Sequence, residues 1–154
     1  MGNFTILDHL EDLHPGDQQL VQAAVKATAN AYAPYSQFHV GTALLLDNGV
    51  IVTGANQENA AYPSCMCAER VAIYAATAQY PGMTIRKLAV VALRGGVAPV
   101  VSAASCGPCR QVMLEFEHRQ GSPIEVVFLA PDNRWVKTPT AASLLPFAFS
   151  KDNL

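Results

Sequence analysis

The chain has 154 residues and a formal net charge of −2, with 51% hydrophobic residues against only 14% charged. That length is one domain with enough apolar residues for a real core, and the scarcity of charge suggests apolar faces buried between subunits. No basic run is present to grip a nucleic-acid backbone, and no apolar run of about 18 residues offers a membrane span.

Residues 1–16 read as an N-terminal lead-in and residues 17–154 as a single domain. The start, MGNFTILDHLEDLHPGD, lacks a basic stretch followed by an apolar segment, so it does not read as a secretory signal. Gly2 invites a myristoylation reading, but Ile6 stands where that motif needs Ser or Thr. The expectation is a soluble cytoplasmic protein, where four cysteines more often serve metal binding or catalysis than disulfides.

Asp17 is a candidate cap for a helix over residues 18–33, whose Leu20, Ala24, Ala27 and Ala31 share one face before Pro34 stops it. Residues 38–46 alternate and then turn apolar, as a strand does. Asp47-Asn48-Gly49 is a hairpin turn, with a return strand over 50–54. A helix is expected from near Cys67 through AERVAIYAATAQ, ended by Pro81-Gly82. KLAVVAL, 87–93, is a strand buried on both faces. A third helix starts around Cys109, and IEVVFL, 124–129, is a second buried strand. RWVKT pairs back after the turn at Pro131-Asp132-Asn133, and TAASLL forms a short helix ending at Pro146. This order predicts a three-layer α/β domain around one mixed sheet.

The chemistry concentrates in CMCAER, residues 65–70, and CGPC, residues 106–109. Cysteine thiolates are good zinc ligands, and both segments lie where a helix should begin. Helix N-termini present free N–H groups and positive dipole charge, which favour thiolates. Three thiolates on a divalent ion leave a net charge of −1, and Arg70 and Arg110, each close behind a ligand, could donate to the sulfurs and offset it. Glu69, two residues after Cys67, is placed for proton transfer beside a metal-bound water. Two arrangements stay open on these residues alone. Cys65 could close a four-cysteine structural site, or it could be a small buried free thiol.

With these motifs the chain, over about residues 17–150, resembles the small homotetrameric cytidine deaminases of the cytidine and deoxycytidylate deaminase family. Cys67-Ala68-Glu69-Arg70 is similar to the family's CAER segment, and Ser105 to Gln111 to its PCxxCRQ segment. YAPYSQFHVG (32–41), GANQENAAYP (54–63) and LLPFAFS (144–150) resemble three further family stretches.

The resemblance implies a three-layer α/β/α cytidine-deaminase-like fold with one central mixed five-stranded sheet. It implies one Zn2+ per subunit on Cys67, Cys106 and Cys109, with Glu69 as the catalytic proton shuttle. Phe38 would line the pyrimidine pocket, Asn56 and Glu58 would hold the ribose 3′-hydroxyl, and the Ala68 N–H would meet the pyrimidine carbonyl. Tyr62 and Phe149 would serve sites across subunit interfaces of a homotetramer. The implied reaction is hydrolytic deamination of free cytidine and 2′-deoxycytidine to the uridines, in pyrimidine salvage. Two positions depart from the family pattern: Ser105 stands where proline is usual, and Cys65 lies outside the motif. Three rivals share part of the pattern. One is a deaminase of a cytosine-bearing antibiotic. Another is a nucleic-acid editing deaminase, which the acidic balance opposes. The last is a binding module closed by four cysteines. His9, His14, His39 and His118 show no ligand spacing, and Glu115 and Glu117 read as solvated helix positions.

Overall fold

The structure, a computed structural model, describes residues 4–154; residues 1–3, with Gly2 and the start of the lead-in, lie outside the described residues. Its elements are β1 (Thr5–Leu7), α1 (Pro15–Ala27), β2 (Phe38–Leu46), β3 (Ile51–Ala55), α2 (Ala68–Gln79), β4 (Ile85–Arg94), β5 (Val97–Val101), α3 (Gly107–Gln120), β6 (Glu125–Leu129) and β7 (Trp135–Thr138). No helix among them is long and apolar enough to cross a membrane.

The central strands are apolar at successive positions because each has two faces to bury. Ala43, Ala89, Val91, Val127 and Leu129 face α1, where Leu20, Val21 and Ala24 meet them. Leu44, Leu88, Val90, Val126 and Phe128 face the other way, toward Ala72, Ile73 and Ala76 of α2 and Met113 of α3. The result is three layers: α1, the sheet, then α2 with α3.

The sheet runs β1-β7-β6-β4-β2-β3, with β5 attached to β4. Only β4 and β6 are parallel, joined through α3; the other pairs are antiparallel. One edge of β4 is shared. β6 pairs with Lys87 to Val90, and β5 takes over at Ala92 to Arg94. The chain leaves β5 at Val101 and enters α3 at Gly107, so the second cysteine pair sits beside the point where the sheet edge divides.

The five expected strands are present, and two more join them, giving seven rather than five. Strand β1 has only three residues and depends on pairing with β7. Strand β5, VAPVV, carries a proline that weakens its strand signal.

Helix α1 differs from expectation at both ends. Its cap is His14, whose Nδ1 accepts the Gly16 N–H at 3.1 Å, and Pro15 occupies the first turn. The helix stops at Ala27 and tightens into a 3-10 turn over Thr28–Asn30, so Ala31 lies beyond it. Close contact with β2 accompanies this change: a Cβ on Gly41 would collide with the Ala24 carbonyl oxygen. The expected C-terminal helix is a 3-10 turn, Ala141–Leu144. Its N-terminus is held by Glu117, which is buried rather than solvated. The Glu117 carboxylate accepts the N–H groups of Ile124, Ala141 and Ala142 and the Thr140 hydroxyl.

Asp17 is not a cap but a buried anchor. Its Oδ1 pairs with Lys87 Nζ at 2.7 Å and its Oδ2 with Lys137 Nζ at 2.8 Å, with the carboxyl side chain 1% exposed. Glu125 completes the group, 2.7 Å from Lys137 Nζ. The network ties α1 to β4, β6 and β7. Burial pushes the Asp17 carboxyl up, but hydrogen bonds from Lys137 and Lys87 and their charges outweigh it, and the net shift is downward.

A lowered carboxyl pKa contributes stability above the unfolded value, near 3.9, and loses it as pH falls through the folded value. Asp17→Asn should therefore lower stability at pH 7 by about 3 kcal/mol, since it leaves two ammonium groups short of their partner. Denaturant unfolding of both proteins across pH 7 to 3 should show the gap closing in acid. A gap that stays constant would assign the effect to shape rather than charge.

Candidate active site

Helices α2 and α3 begin on cysteines. Cys67 and Cys106 are the residues just before their first turns, both in extended backbone, and neither side chain bonds the helix N–H groups behind it. The first N–H groups of each helix are therefore free to act on what lies in front. Cys109 follows one turn into α3 and is fully buried. Helix α2 is set against β3 by Gly54, where a Cβ would fall 2.5 Å from the Ala72 nitrogen and 2.7 Å from the Ala68 oxygen. Only glycine allows that approach, and it fixes where Cys67 and Glu69 stand.

The three sulfurs lie within 4.8 Å of one another. Cys67 Sγ is 3.6 Å from Cys106 Sγ, which is 3.2 Å from Cys109 Sγ. Zinc–sulfur bonds of about 2.3 Å at a tetrahedral angle need sulfurs about 3.8 Å apart. The spacing and the soft donor set both suit zinc, and three ligands leave the fourth position open. Cys65 is not in the cluster. Its sulfur accepts the Asn59 N–H at 3.2 Å and sits half-buried in the cavity wall.

Charge is balanced locally. Arg70 Nη2 donates to Cys67 Sγ at 3.5 Å. A hydrogen bond from the Cys109 thiol, and then the Arg70 guanidinium, hold the Cys67 thiol down at about 5. Hydrogen bonding to Cys67 and burial push Cys109 up. Arg110, expected beside a sulfur, reaches backbone instead. Its Nε donates to the Ser105 carbonyl at 2.8 Å and its Nη1 to the Leu144 carbonyl at 3.0 Å. It splints the loop before Cys106 to the C-terminal segment, and offsets sulfur charge only from behind.

Glu69 is 3% exposed, and burial raises its carboxyl above the usual range. It shares a cavity of about 570 Å³ with Phe38, Asn56, Glu58, Ala68, Cys67 and Cys106. That volume suits a small organic ligand. A smaller cleft of about 300 Å³, between the far end of α2 and α3, is lined by Tyr80, Met83 and Phe116 and holds none of these groups.

Segment 56–58 is held from both sides. Tyr32 N–H donates to the Asn56 carbonyl and Glu58 N–H to the Tyr32 carbonyl, while Gln57 and Met66 exchange backbone bonds at 2.9 Å. The Asn56 side chain continues β2, accepting Val40 N–H at 2.8 Å and donating to the Phe38 carbonyl at 2.9 Å. One amide hydrogen and one lone pair are left for a ligand. Glu58 Oε2 accepts the N–H groups of Tyr35 and Ser36 at 2.9 and 3.3 Å. The Ser36 side chain, with those N–H groups, keeps its carboxyl below the ordinary value.

Neither Tyr62 nor Phe149, 69% and 62% exposed, lines this cavity, though Tyr62 borders a neighbouring cleft with Tyr35 and with Ser36, Glu58 and Cys65 of the cavity wall. The Tyr62 ring leans edge-on to Tyr35 at 6.0 Å, and the Phe149 carbonyl accepts from Gln111 at 2.8 Å. Several lining residues were not anticipated, and two of them act on the expected ones. Ser36 supports Glu58, and Arg94 lies 5.7 Å over the Phe38 ring. The second follows from the Phe38–Arg94 strand pairing, which no local pattern announces.

Residues 15–122 match the family described as the cytidine and deoxycytidylate deaminase zinc-binding region. The chain is similar to a cytidine deaminase of Sporosarcina psychrophila, 43% identical over 140 residues, covering 89% of this chain and 93% of that protein. It is also similar to one from Halalkalibacterium halodurans, 36% identical over 89% of this chain and 96% of that protein. A cytidine deaminase crystal structure from Burkholderia pseudomallei superposes with a TM-score of 0.70 at 40% identity, covering 89% of this chain and 100% of the other. The thiolate cluster, the buried carboxylate and the three-layer fold thus come with a match along most of the chain, and the chain belongs to the cytidine and deoxycytidylate deaminase family.

Proposed function

We propose that the protein deaminates free cytidine and 2′-deoxycytidine hydrolytically, giving uridine and 2′-deoxyuridine with release of ammonia. The observation that carries this reading is the buried Glu69 carboxylate beside three cysteine sulfurs, on the wall of one nucleoside-sized cavity. Cys67, Cys106 and Cys109 would hold zinc, which supplies a water of lowered pKa and positive charge near the reacting carbon.

Glu69 takes the proton of the attacking water. It passes that proton to the adjacent ring nitrogen, then takes the remaining proton of the hydroxyl added to the ring carbon and gives it to the departing amine. Ala68 N–H, without an acceptor among the described residues, donates to the pyrimidine carbonyl oxygen. Phe38 excludes water from one side of the base. Asn56 and Glu58 take the ribose 3′-hydroxyl, the amide offering a donor and the carboxylate an acceptor.

The working unit in this reading is a homotetramer. Tyr62 and Phe149 are exposed on the single chain and lie off its own cavity, so the positions suit completion of a neighbour's site. The reading also places the enzyme in the cytoplasm, where reducing conditions keep the four free cysteines available to metal.

Cytidine mixed with zinc-loaded protein should lose its ultraviolet spectrum toward that of uridine. Glu69→Gln should keep zinc and lose about 10³-fold in turnover; an active Glu69→Gln protein would remove Glu69 from proton transfer. Cys65→Ser should retain one zinc per chain by metal analysis. Loss of zinc from that variant would instead mean a closed four-cysteine site.

A further inference from the structure

The Phe38 ring lines the cavity, yet the apolar core does not fix it. Phe38 opens β2, is only half-buried, and belongs to neither of the two apolar clusters that flank the sheet. The group over its ring is Arg94, whose guanidinium carbon lies 5.7 Å from the ring centroid. A cation within about 6 Å of an aromatic face is attracted by the ring's negative face, and the planar guanidinium also stacks on it.

Backbone on both edges of β4 holds Arg94 at this point. It pairs with Phe38 on β2, and with Val97 on β5 where the register shifts between Leu93 and Arg94. An irregularity of this kind re-aims a side chain. The next residue, Gly95, donates its N–H to the carbonyl of Gln37, the neighbour of Phe38, at 2.7 Å. Arg94 is also the one cation among the residues lining the cavity, and no carboxylate among the described residues lies within ion-pairing distance of it. Its partner in the structure is the ring, not an acid.

We propose that Arg94 is a positioning residue for substrate binding, its guanidinium stacked on Phe38 so that the ring is held in the orientation that meets the pyrimidine. This rests on the deaminase reading. A ring ordered before the nucleoside arrives does not have to be ordered by it, which favours binding. The base lies against the ring in the ground state and in the transition state alike, so the effect belongs in KM rather than kcat.

The test is steady-state kinetics on zinc-loaded Arg94→Ala, Arg94→Gln and Arg94→Lys. For Arg94→Ala and Arg94→Gln, KM for cytidine and the inhibition constant of uridine should each rise about three- to fivefold, with kcat within about twofold of the wild type and zinc content unchanged. Arg94→Lys keeps a cation that reaches the ring, and its KM should stay within about twofold of the wild type. In a Phe38→Leu protein, which has no ring to orient, adding Arg94→Ala should change KM by less than about 1.5-fold. The proposal is overturned if Arg94→Ala or Arg94→Gln keeps the wild-type KM, if the loss falls on kcat or zinc content instead, or if lysine fails to rescue. It is also overturned if the Arg94→Ala loss persists in full without the Phe38 ring, which would make Arg94 a direct contact to the nucleoside. Failure of the deaminase reading would look different, since the wild type itself would then leave cytidine unchanged.

Discussion

Three thiolates at chelating distance repel one another. Two unit charges about 4 Å apart cost about 4 kcal/mol even at an effective dielectric of 20, and the cluster contains three such pairs. The surroundings of the site answer that repulsion. Two helices start at the ligands and turn their free N–H groups toward them. Arg70 donates to one sulfur, and Arg110 stiffens the loop that carries another. A divalent ion completes the neutralisation. Glu69 stands beside this charge outside the sulfur cluster, and its burial raises its carboxyl above the usual range.

The sheet's task is to bring the two helix starts together. Gly54 lets α2 approach β3 more closely than any side chain would allow. The division of one β4 edge between β6 and β5 opens the space where the second cysteine pair enters α3. The segment carrying Asn56 and Glu58 is bridged to Tyr32 on one side and Met66 on the other, so the far wall of the cavity is set by backbone bonds. Away from the cavity, Asp17 locks α1 onto the opposite face with two lysines. Glu117 does the same for the C-terminal segment by collecting backbone N–H groups.

Much of this was legible in the sequence where the determining signal is local. The hairpin at Asp47-Asn48-Gly49 follows from turn chemistry, and Gly49 has the positive φ it predicts. The starts of α2 and α3 follow from the ligand spacing and the apolar periodicity behind it. What the sequence concealed depends on distant partners. Asp17 looks like a cap until Lys87 and Lys137 arrive from other strands. Glu117 looks solvated until residues 140–142 fold back over it. Arg110 sits where a sulfur partner would be expected, yet two carbonyl groups in its reach take its hydrogen bonds. Strands β1 and β5 are too short or too interrupted to declare themselves, and exist because a longer neighbour offers an edge.

The central claim is that the metal site has three protein thiolates and one exchangeable position. Cobalt(II) in place of zinc tests it most directly, because its visible absorption reports both the number of thiolates and the fourth ligand. The account predicts a tetrahedral three-thiolate spectrum, unchanged by Cys65→Ser, that shifts when a pyrimidine nucleoside with a hydrated ring is added. A four-thiolate spectrum that ignores the nucleoside and collapses with Cys65→Ser would contradict it.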